Sequence, residues 1–443
     1  MSRSLHAFAV SALALGIVAS SAAAQDSASS RGITLTGNYD PLRDKIGIIV
    51  LPVPGAFGDS VRAMVQRDLT NSDRFMVAPI DTTDPSALRA SGGTGLNYQL
   101  FGRLSASAVA QIIPVTGGLH VSLHDVAKGR VVNVAEFSLP SSALSRDWRM
   151  AIHRTADEIE RWATGQRGIS ATRVAYVRGT GDAAALRIVD SDGANEITVP
   201  TDGCGMSPAW NPTGTMLAYA TCGANSRLFV IDLATGKSRA IAGPTRNVSY
   251  SSPVFMPDGN TIVFGRLGEN GTDLYTIGIA GGETPRRLTV GRGVENSLPA
   301  PSPDGRRIVY VGNGTGHPEL YIMDADGTNV DVLTNYEESD RNYRSDPDWS
   351  PDGRLIAYQE RLPNGRFQLK TIKPNGYTPK TLTDLGQNEQ PSWAPDGRHL
   401  VFTSDRTGVR QLWVLDIESA TLRQLTKSSG ARLGAWSPRI AVP

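Results

Sequence analysis

The chain has 443 residues, with 44 Lys and Arg against 43 Asp and Glu, and 46 Gly beside 27 Pro. That length suggests two or three domains, or a repeat array beside a smaller domain, and the near-zero net charge argues against a nucleic-acid binder with its basic stripe. A hydrophobic share of 40% is enough for packed cores, while the Gly and Pro content points to many turns and short strands rather than long helices.

Residues 1–24 carry Arg3, a short apolar stretch from Ala7 to Ala19, and Ala22-Ala23-Ala24. This is the pattern of a cleaved secretory leader, too short and too rich in Ala and Ser to span a membrane, and no second run of 18 apolar residues follows. The mature chain is therefore expected to start at Gln25, outside the cytoplasm. Residues 25–32 have no core-forming content and are expected to be flexible.

Residues 33–165 read as an α/β domain. Ile46 to Leu51 is a buried strand. Val61, Met64, Val65 and Leu69 share one face of a helix over 59–69. Tyr98 to Leu104 reads as a strand. Leu119–Asp125 and Val131–Phe137 read as strands joined by a hairpin at Lys128-Gly129. Trp148, Ile152, Ile159 and Trp162 line a second helix, stopped by Gly165 and Gly168. His120 and His124 fall on the strand face opposite Val121 and Leu123, which makes them solvent-facing rather than a metal pair.

From residue 169 to 438 a repeat takes over: Pro208-Ala-Trp210-Asn-Pro212-Thr-Gly214, then Pro253 to Gly259, Pro299 to Gly305, Pro347-Asp-Trp349-Ser-Pro351-Asp-Gly353 and Pro391 to Gly397, with a truncated copy at Gly434-Ala-Trp436-Ser-Pro438. The second prolines lie 45, 46, 48, 44 and 43 residues apart. In each turn Pro presets φ and Gly takes the left-handed position, so the motif joins an innermost strand to its neighbour. Four short strands per period match a propeller blade. Arg173–Val177, Ala185–Val189 and Glu196–Val199 supply three strands of a blade, and Gly434–Ser437 supplies its missing first strand. The ring is thus expected to have six blades, closed by pairing of the C-terminal strand with the N-terminal blade.

In an exported chain the two cysteines, Cys204 and Cys222, favour pairing. A hairpin near Pro212-Thr213 pairs positions summing to about 425 or 426, which would set the two opposite each other; the alternative is two thiols that never meet.

Catalytic constellations are not found. There is no Gly-x-Ser-x-Gly. Gly236-Lys237-Ser238 sits in a blade turn rather than a P-loop, and Gly312-x-Gly314-x-Gly316 precedes a strand. Asp190-x-Asp192-Gly and Asp324-x-Asp326-Gly occupy the outer turn of a blade and read as turn chemistry rather than calcium loops. Trp210, Trp349, Trp393 and Trp436 recur at one repeat position, which suits packing between blades. No cofactor or metal is expected.

The leader, the α/β domain and six such blades, together with Asp68-Leu-Thr-Asn-Ser-Asp-Arg-Phe75 and Thr172-Arg-Val-Ala-Tyr176, resemble the TolB family of the Tol-Pal system over essentially the whole mature chain. The resemblance implies a periplasmic, non-enzymatic adaptor. Such an adaptor binds the lipoprotein Pal at a mouth of the propeller channel and TolA through its mature N-terminus, supporting outer-membrane invagination at division and outer-membrane integrity. Topology places the relevant mouth opposite the Ser-Pro-Asp-Gly turns. Its candidate lining is Ser207, Ser251, Ser252, Ser297, Ser345, Asp346, Glu389 and Gln390, with Arg246, Arg266, Arg344 and Arg406 around it. For TolA the candidates are Gln25 and the strand anchors Ile33 and Leu35. A monomer that does not span the membrane is expected. The rival readings are an exported propeller enzyme or accessory, peptidase or glycan-lyase-like, for which His317 and His399 are the only repeat histidines, and a carbohydrate-binding module.

Overall fold

The computed structural model describes residues 45–80, 85–90, 95–291, 294–334, 343–428 and 430–440. The leader and the mature N-terminus, with Gln25, Ile33 and Leu35, lie outside the described residues. What is described is an α/β unit followed by a six-bladed β-propeller.

The α/β unit is built on a five-stranded sheet ordered β2-β1-β3-β4-β5. Its strands are β1 (Ile46–Val50), β2 (Phe75–Val77), β3 (Ala108–Val115), β4 (Gly118–Asp125) and β5 (Arg130–Ser138). β1 runs parallel to both neighbours, and β3, β4 and β5 form an antiparallel meander. The unbroken apolar run of β1 is explained by two covered faces. Ile48 and Val50 pack under helices α1 (Gly58–Asn71) and α3 (Arg146–Thr164), while Ile49 and Leu51 pack with Phe101 on the other side. Ser145 caps α3 by accepting from Trp148 N, and Gly165 ends it at φ 77°, a left-handed C-cap.

One expected strand is a helix. Tyr98–Arg103 forms α2, capped by the Asn97 side chain, which accepts from Leu100 N at 3.0 Å. The segment has no β-branched residue, and both edges of β1 are already taken by β2 and β3, so sheet pairing was not open to it. This helix also changes His124. Its partner Tyr98 covers that face of β4, with Tyr98 Oη 2.8 Å from His124 Nδ1, so His124 is buried rather than solvent-facing, and burial lowers its pKa.

The propeller comprises six four-stranded antiparallel sheets. Its innermost strands are Met206–Trp210 (blade 1), Ser249–Phe255 (blade 2), Asn296–Pro301 (blade 3), Tyr343–Trp349 (blade 4), Asn388–Trp393 (blade 5) and Ala431–Trp436 (blade 6). Blade 6 is composite: Ala431–Trp436 pairs antiparallel with Arg173–Arg178, closing the ring. Trp436 anchors this closure, its indole N–H donating to Thr172 Oγ1 at 2.8 Å, and Ser437 and Arg173 exchange two further bonds. The recurring tryptophans join blades. Trp210 donates to Ala435 O and Trp393 to Asp348 O, each on the preceding blade.

Cys204 and Cys222 are bonded, with Cα atoms 5.9 Å apart. Beside the turn, the register sums to 427 (Leu217↔Trp210), and a bulge shifts it to 426 at Ala220↔Met206. The extra residue of the bulge therefore brings the cysteines opposite each other.

Candidate functional site

The channel is shaped by one recurring backbone device. Each innermost strand carries a β-bulge whose residue has positive φ: Ser207 (49°), Ser252 (47°), Leu298 (52°), Asp346 (52°), Gln390 (59°) and Leu433 (53°). None is glycine, so each holds a conformation that costs an L-residue roughly 1–2 kcal/mol. The cost is met by the surrounding ladder, and its effect is to turn the strand so that consecutive residues face the lumen. These six residues, with the prolines that follow most of them, line a channel of about 460 Å³. In five blades the bulged residue immediately precedes the first Pro of the motif, a sequence signal that would have added Leu298 to the candidate lining. Leu433 precedes Gly434 instead.

Polar character in this wall is confined to a few blades. Asp346 is the charged residue among the bulges. Ser345 donates to its Oδ2 at 2.9 Å, and Gln359 donates to Ser345 Oγ at 2.9 Å. Burial pushes the Asp346 carboxyl up to about 6, with the Glu389 carboxylate adding to the rise. Asp348, two residues on, accepts from Trp393 N at 2.7 Å, and burial raises it to about 7. Gln390 Oε1 accepts from Thr403 Oγ1 and from Leu433 N, tying three neighbouring strands together.

The other candidates fall into two groups. Ser251 and Arg246 are exposed, Ser297 is half-buried, and Glu389 pairs with Arg410 at 3.1 Å. Ser345 and Arg344, by contrast, are buried behind the wall. Arg344 bonds Glu319 at 2.7 Å and Glu360 at 2.8 Å, joining blades 3 and 4. Arg406 lies over the rings of Phe402 and Trp413 and bonds Asn388, and burial lowers it to about 10. Arg266 lies over Tyr275. Arg344 and Arg406 are expected around the mouth; strand alternation turns Arg344 into the blade, and Arg406, in the turn after the strand His399–Ser404, folds back over Phe402 and Trp413.

A second cluster, absent from the sequence reading, lies in the seam between the α/β unit and blades 5 and 6. His153 on α3 sets Nδ1 2.6 Å from Asp68 Oδ2 of α1 and turns Nε2 toward Asp192 of blade 6, 3.7 Å away. His399 of blade 5 does the reverse: Nδ1 is 2.7 Å from Asp396 of its own blade, and Nε2 faces Asp73 of the α/β unit at 3.6 Å. Each body thus contributes one buried imidazole that grips its own aspartate and reaches for the other's. Burial opposes charge on both rings. The Asp396 carboxylate outweighs this at His399, holding it at about 10, and Asp68 with Asp192 raises His153. The same atoms, with Asp190 and Asp416, are of the type that ligates divalent cations. However, Arg149 and Arg67 already occupy Asp192, Arg173 contacts Asp190 and Arg398 occupies Asp416, so these carboxylates already have cationic partners; His399, held at about 10, bridges as an imidazolium, and His153 is shifted in the same direction.

The linker is held here too. Asp157 of α3 accepts from Ser170 N at 2.7 Å and Ala171 N at 3.0 Å. A Cβ on Gly168 would lie 2.4 Å from Asp157 Oδ1, so only glycine fits at this crossing. His399 is committed to the seam, and the wall of the channel has no histidine among the described residues. Among the described residues no helix is long and apolar enough to cross a membrane.

Comparison with known proteins follows the same lines. Residues 161–440 match the family model of the TolB β-propeller domain. A Tol-Pal system protein TolB of Gluconobacter oxydans is 31% identical over 412 residues, covering 88% of this chain and 86% of that protein. The Methylococcus capsulatus TolB is 31% identical over 203 residues, 44% of this chain and 47% of that protein. Among solved structures, TolB from Acinetobacter baumannii has the same fold, with a TM-score of 0.74 at 23% identity, covering 89% of this chain and 97% of that one. Blade repeat, preceding α/β unit and relatives matched across both together establish that the chain belongs to the TolB family.

Proposed function

We propose that this chain is a periplasmic, non-enzymatic adaptor of a Tol-Pal system, exported by a leader at residues 1–24 and acting as a monomer. It holds Pal at the channel mouth opposite the Ser-Pro-Asp-Gly turns and engages TolA through its mature N-terminus, around Gln25, Ile33 and Leu35. In this role it supports outer-membrane constriction at division and outer-membrane integrity.

The observation that carries the reading is the set of six bulges in a closed ring. They form a rigid concave surface whose polar groups are few and fixed, which suits docking of a folded partner at low ordering cost. Ser207, Ser251, Ser252, Ser297, Asp346, Glu389, Gln390 and Arg246 are the contacts in this reading. Ser345 and Arg344 act from behind, Ser345 by orienting Asp346 and Arg344 by fixing blade 4 against blade 3.

The test is capture of Pal by the mature protein and by an Asp346→Arg variant. The variant should bind at least about tenfold more weakly, since it places a cation in a desolvated wall. Failure of the unaltered protein to capture Pal, or equal capture by the variant, refutes the site. Deleting residues 25–36 should abolish TolA binding and leave Pal capture intact.

A further inference from the structure

The blades repeat closely enough that a departure from the repeat carries information. In the third strand of each blade, the residue that opens the outer turn is Asp190, Asp232, Asp324 or Asp416 in four blades, and Gly278 in blade 2. Each aspartate caps its turn. Asp190 and Asp324 accept from Asn195 and Asn329 at 2.7 Å, and Asp232 and Asp416 accept from the backbone of Thr235 and Glu418 at 2.8 Å. In blade 4 the register places Lys373 at this position. The backbone turn is of the same kind, with Lys373 N bonded to Tyr377 O and Gly376 N to Lys373 O, but the cap is lost and the charge reversed. The Asn375 side chain accepts from Tyr377 N at 3.2 Å, as Asp326 accepts from Thr328 N in blade 3, so that part of the turn is kept and the lysine adds no cap of its own.

What the lysine does is complete a pocket. Lys373, Arg307 and Arg354 line a cavity of about 430 Å³ between blades 3 and 4, together with Pro374 and Asn375, and no acid is among the described residues of its wall. Arg307 is held from behind, its guanidinium 5.2 Å from the centre of the Trp349 ring. Arg354 pairs with the exposed Asp352, at 3.6 Å. Asp324, across the strand from Arg307, is occupied by Asn329, and Asp304 by Ser302 and the Arg306 amide. In blade 5 the cation after the turn, Arg398, is consumed by Asp416 and Glu418; in blade 4 the corresponding Arg354 faces the pocket.

We propose that this pocket is an oxyanion site that takes a phosphate group, bound by two guanidinium forks and one ammonium. It lies on the face of the ring that bears the turns, away from the mouth assigned to Pal, so it is independent of that assignment. The phosphate can be free or can belong to a phospholipid headgroup, and the cavity is open enough to admit either.

The decisive variant is Lys373→Asp, which restores the residue used in four of the other five blades. The mature protein is titrated with inorganic phosphate and pyrophosphate by calorimetry, and sedimented with vesicles of phosphatidylcholine with and without phosphatidylglycerol. The unaltered chain should bind pyrophosphate, or pellet with the anionic vesicles alone, and the arm that responds identifies the source. Lys373→Asp and Arg354→Ala should each weaken binding about tenfold. Lys237→Ala, in the outer turn of blade 1, should change nothing. Lys373→Asp should melt no lower than the parent and still capture Pal. Binding in neither arm, or binding by both pocket variants equal to that of the parent, overturns the proposal.

Discussion

The wall of the channel and the seam behind it are built by opposite rules. The wall is a repetition: one bulge, one positive φ and in most blades one proline, with charge kept to the Asp346 region. The seam repeats nothing. It buries histidines, aspartates and arginines drawn from α1, α3 and blades 5 and 6 in a network in which Asp192 is shared by Arg67, Arg149 and His153. The wall gains rigidity because every blade supports the next. The seam depends on a few charge pairs, and its strength therefore varies with pH. Specific chemistry in this molecule arises where the repeat is interrupted, at Asp346, at Lys373 and along the seam.

Breaking the ring should have the largest effect. Removing residues 431–443 deletes the innermost strand of blade 6 and exposes the edge of Arg173–Arg178. The loss exceeds ~5 kcal/mol, comparable to the whole stability of a domain, so the propeller should show no cooperative thermal transition by calorimetry. A truncate that melts like its parent would mean that closure does not hold the ring.

Trp436→Ala keeps the strand and removes its anchor. A buried tryptophan truncation costs ~3–5 kcal/mol, a fall of about 10 °C in Tm. If the change is within about 1 °C, the closure does not rest on this residue.

The seam should yield to smaller insults. Asp157→Ala leaves two buried linker amides without acceptors, a loss of about 2 kcal/mol. Limited proteolysis across residues 165–168 should speed up while Pal capture is unchanged. Unaltered cleavage would show that the linker is held by other means.

The gentlest probe is pH. His399 has its folded pKa raised from 6.5 to about 10, so its contribution is fully present below pH 6.5 and is lost as pH rises toward 10. His153 shifts in the same direction. Burial, reinforced by Asp157, raises Glu160 to about 8, so ionising it also weakens the fold, between about pH 4.5 and 8. Stability should therefore decline from pH 6.5 to 10, and His399→Gln should flatten the slope. A Tm independent of pH over this window would contradict the imidazolium bridges.

How far each region was legible follows from the same contrast. The blades could be read because Pro, Gly and Trp recur at fixed spacing and each has a local conformational reason to be there. The disulfide could be framed from hairpin register, but the one-residue shift that brings Cys204 to Cys222 comes from the bulge. The α/β unit was only partly legible. The strands β2 and β3 have no sequence signal of their own, and Tyr98–Leu104 reads as a strand because so short a segment carries too little periodicity to separate strand from helix. His124 then went wrong with it, since its environment is supplied by that helix. The seam has no local signature: Asp192 reads as turn chemistry and Asp68 as part of a family motif, and neither reveals His153 as its partner until two bodies are packed together.

By itself, then, the sequence determined the ring, its blade count and its closure, because turn chemistry and strand alternation act over a few residues and are repeated six times. Packing alone sets which polar side chains face the lumen, which are sealed inside a blade, and which imidazoles lie against buried carboxylates. Those outcomes depend on neighbours brought from distant parts of the chain and on the water they exclude, and no local pattern encodes either.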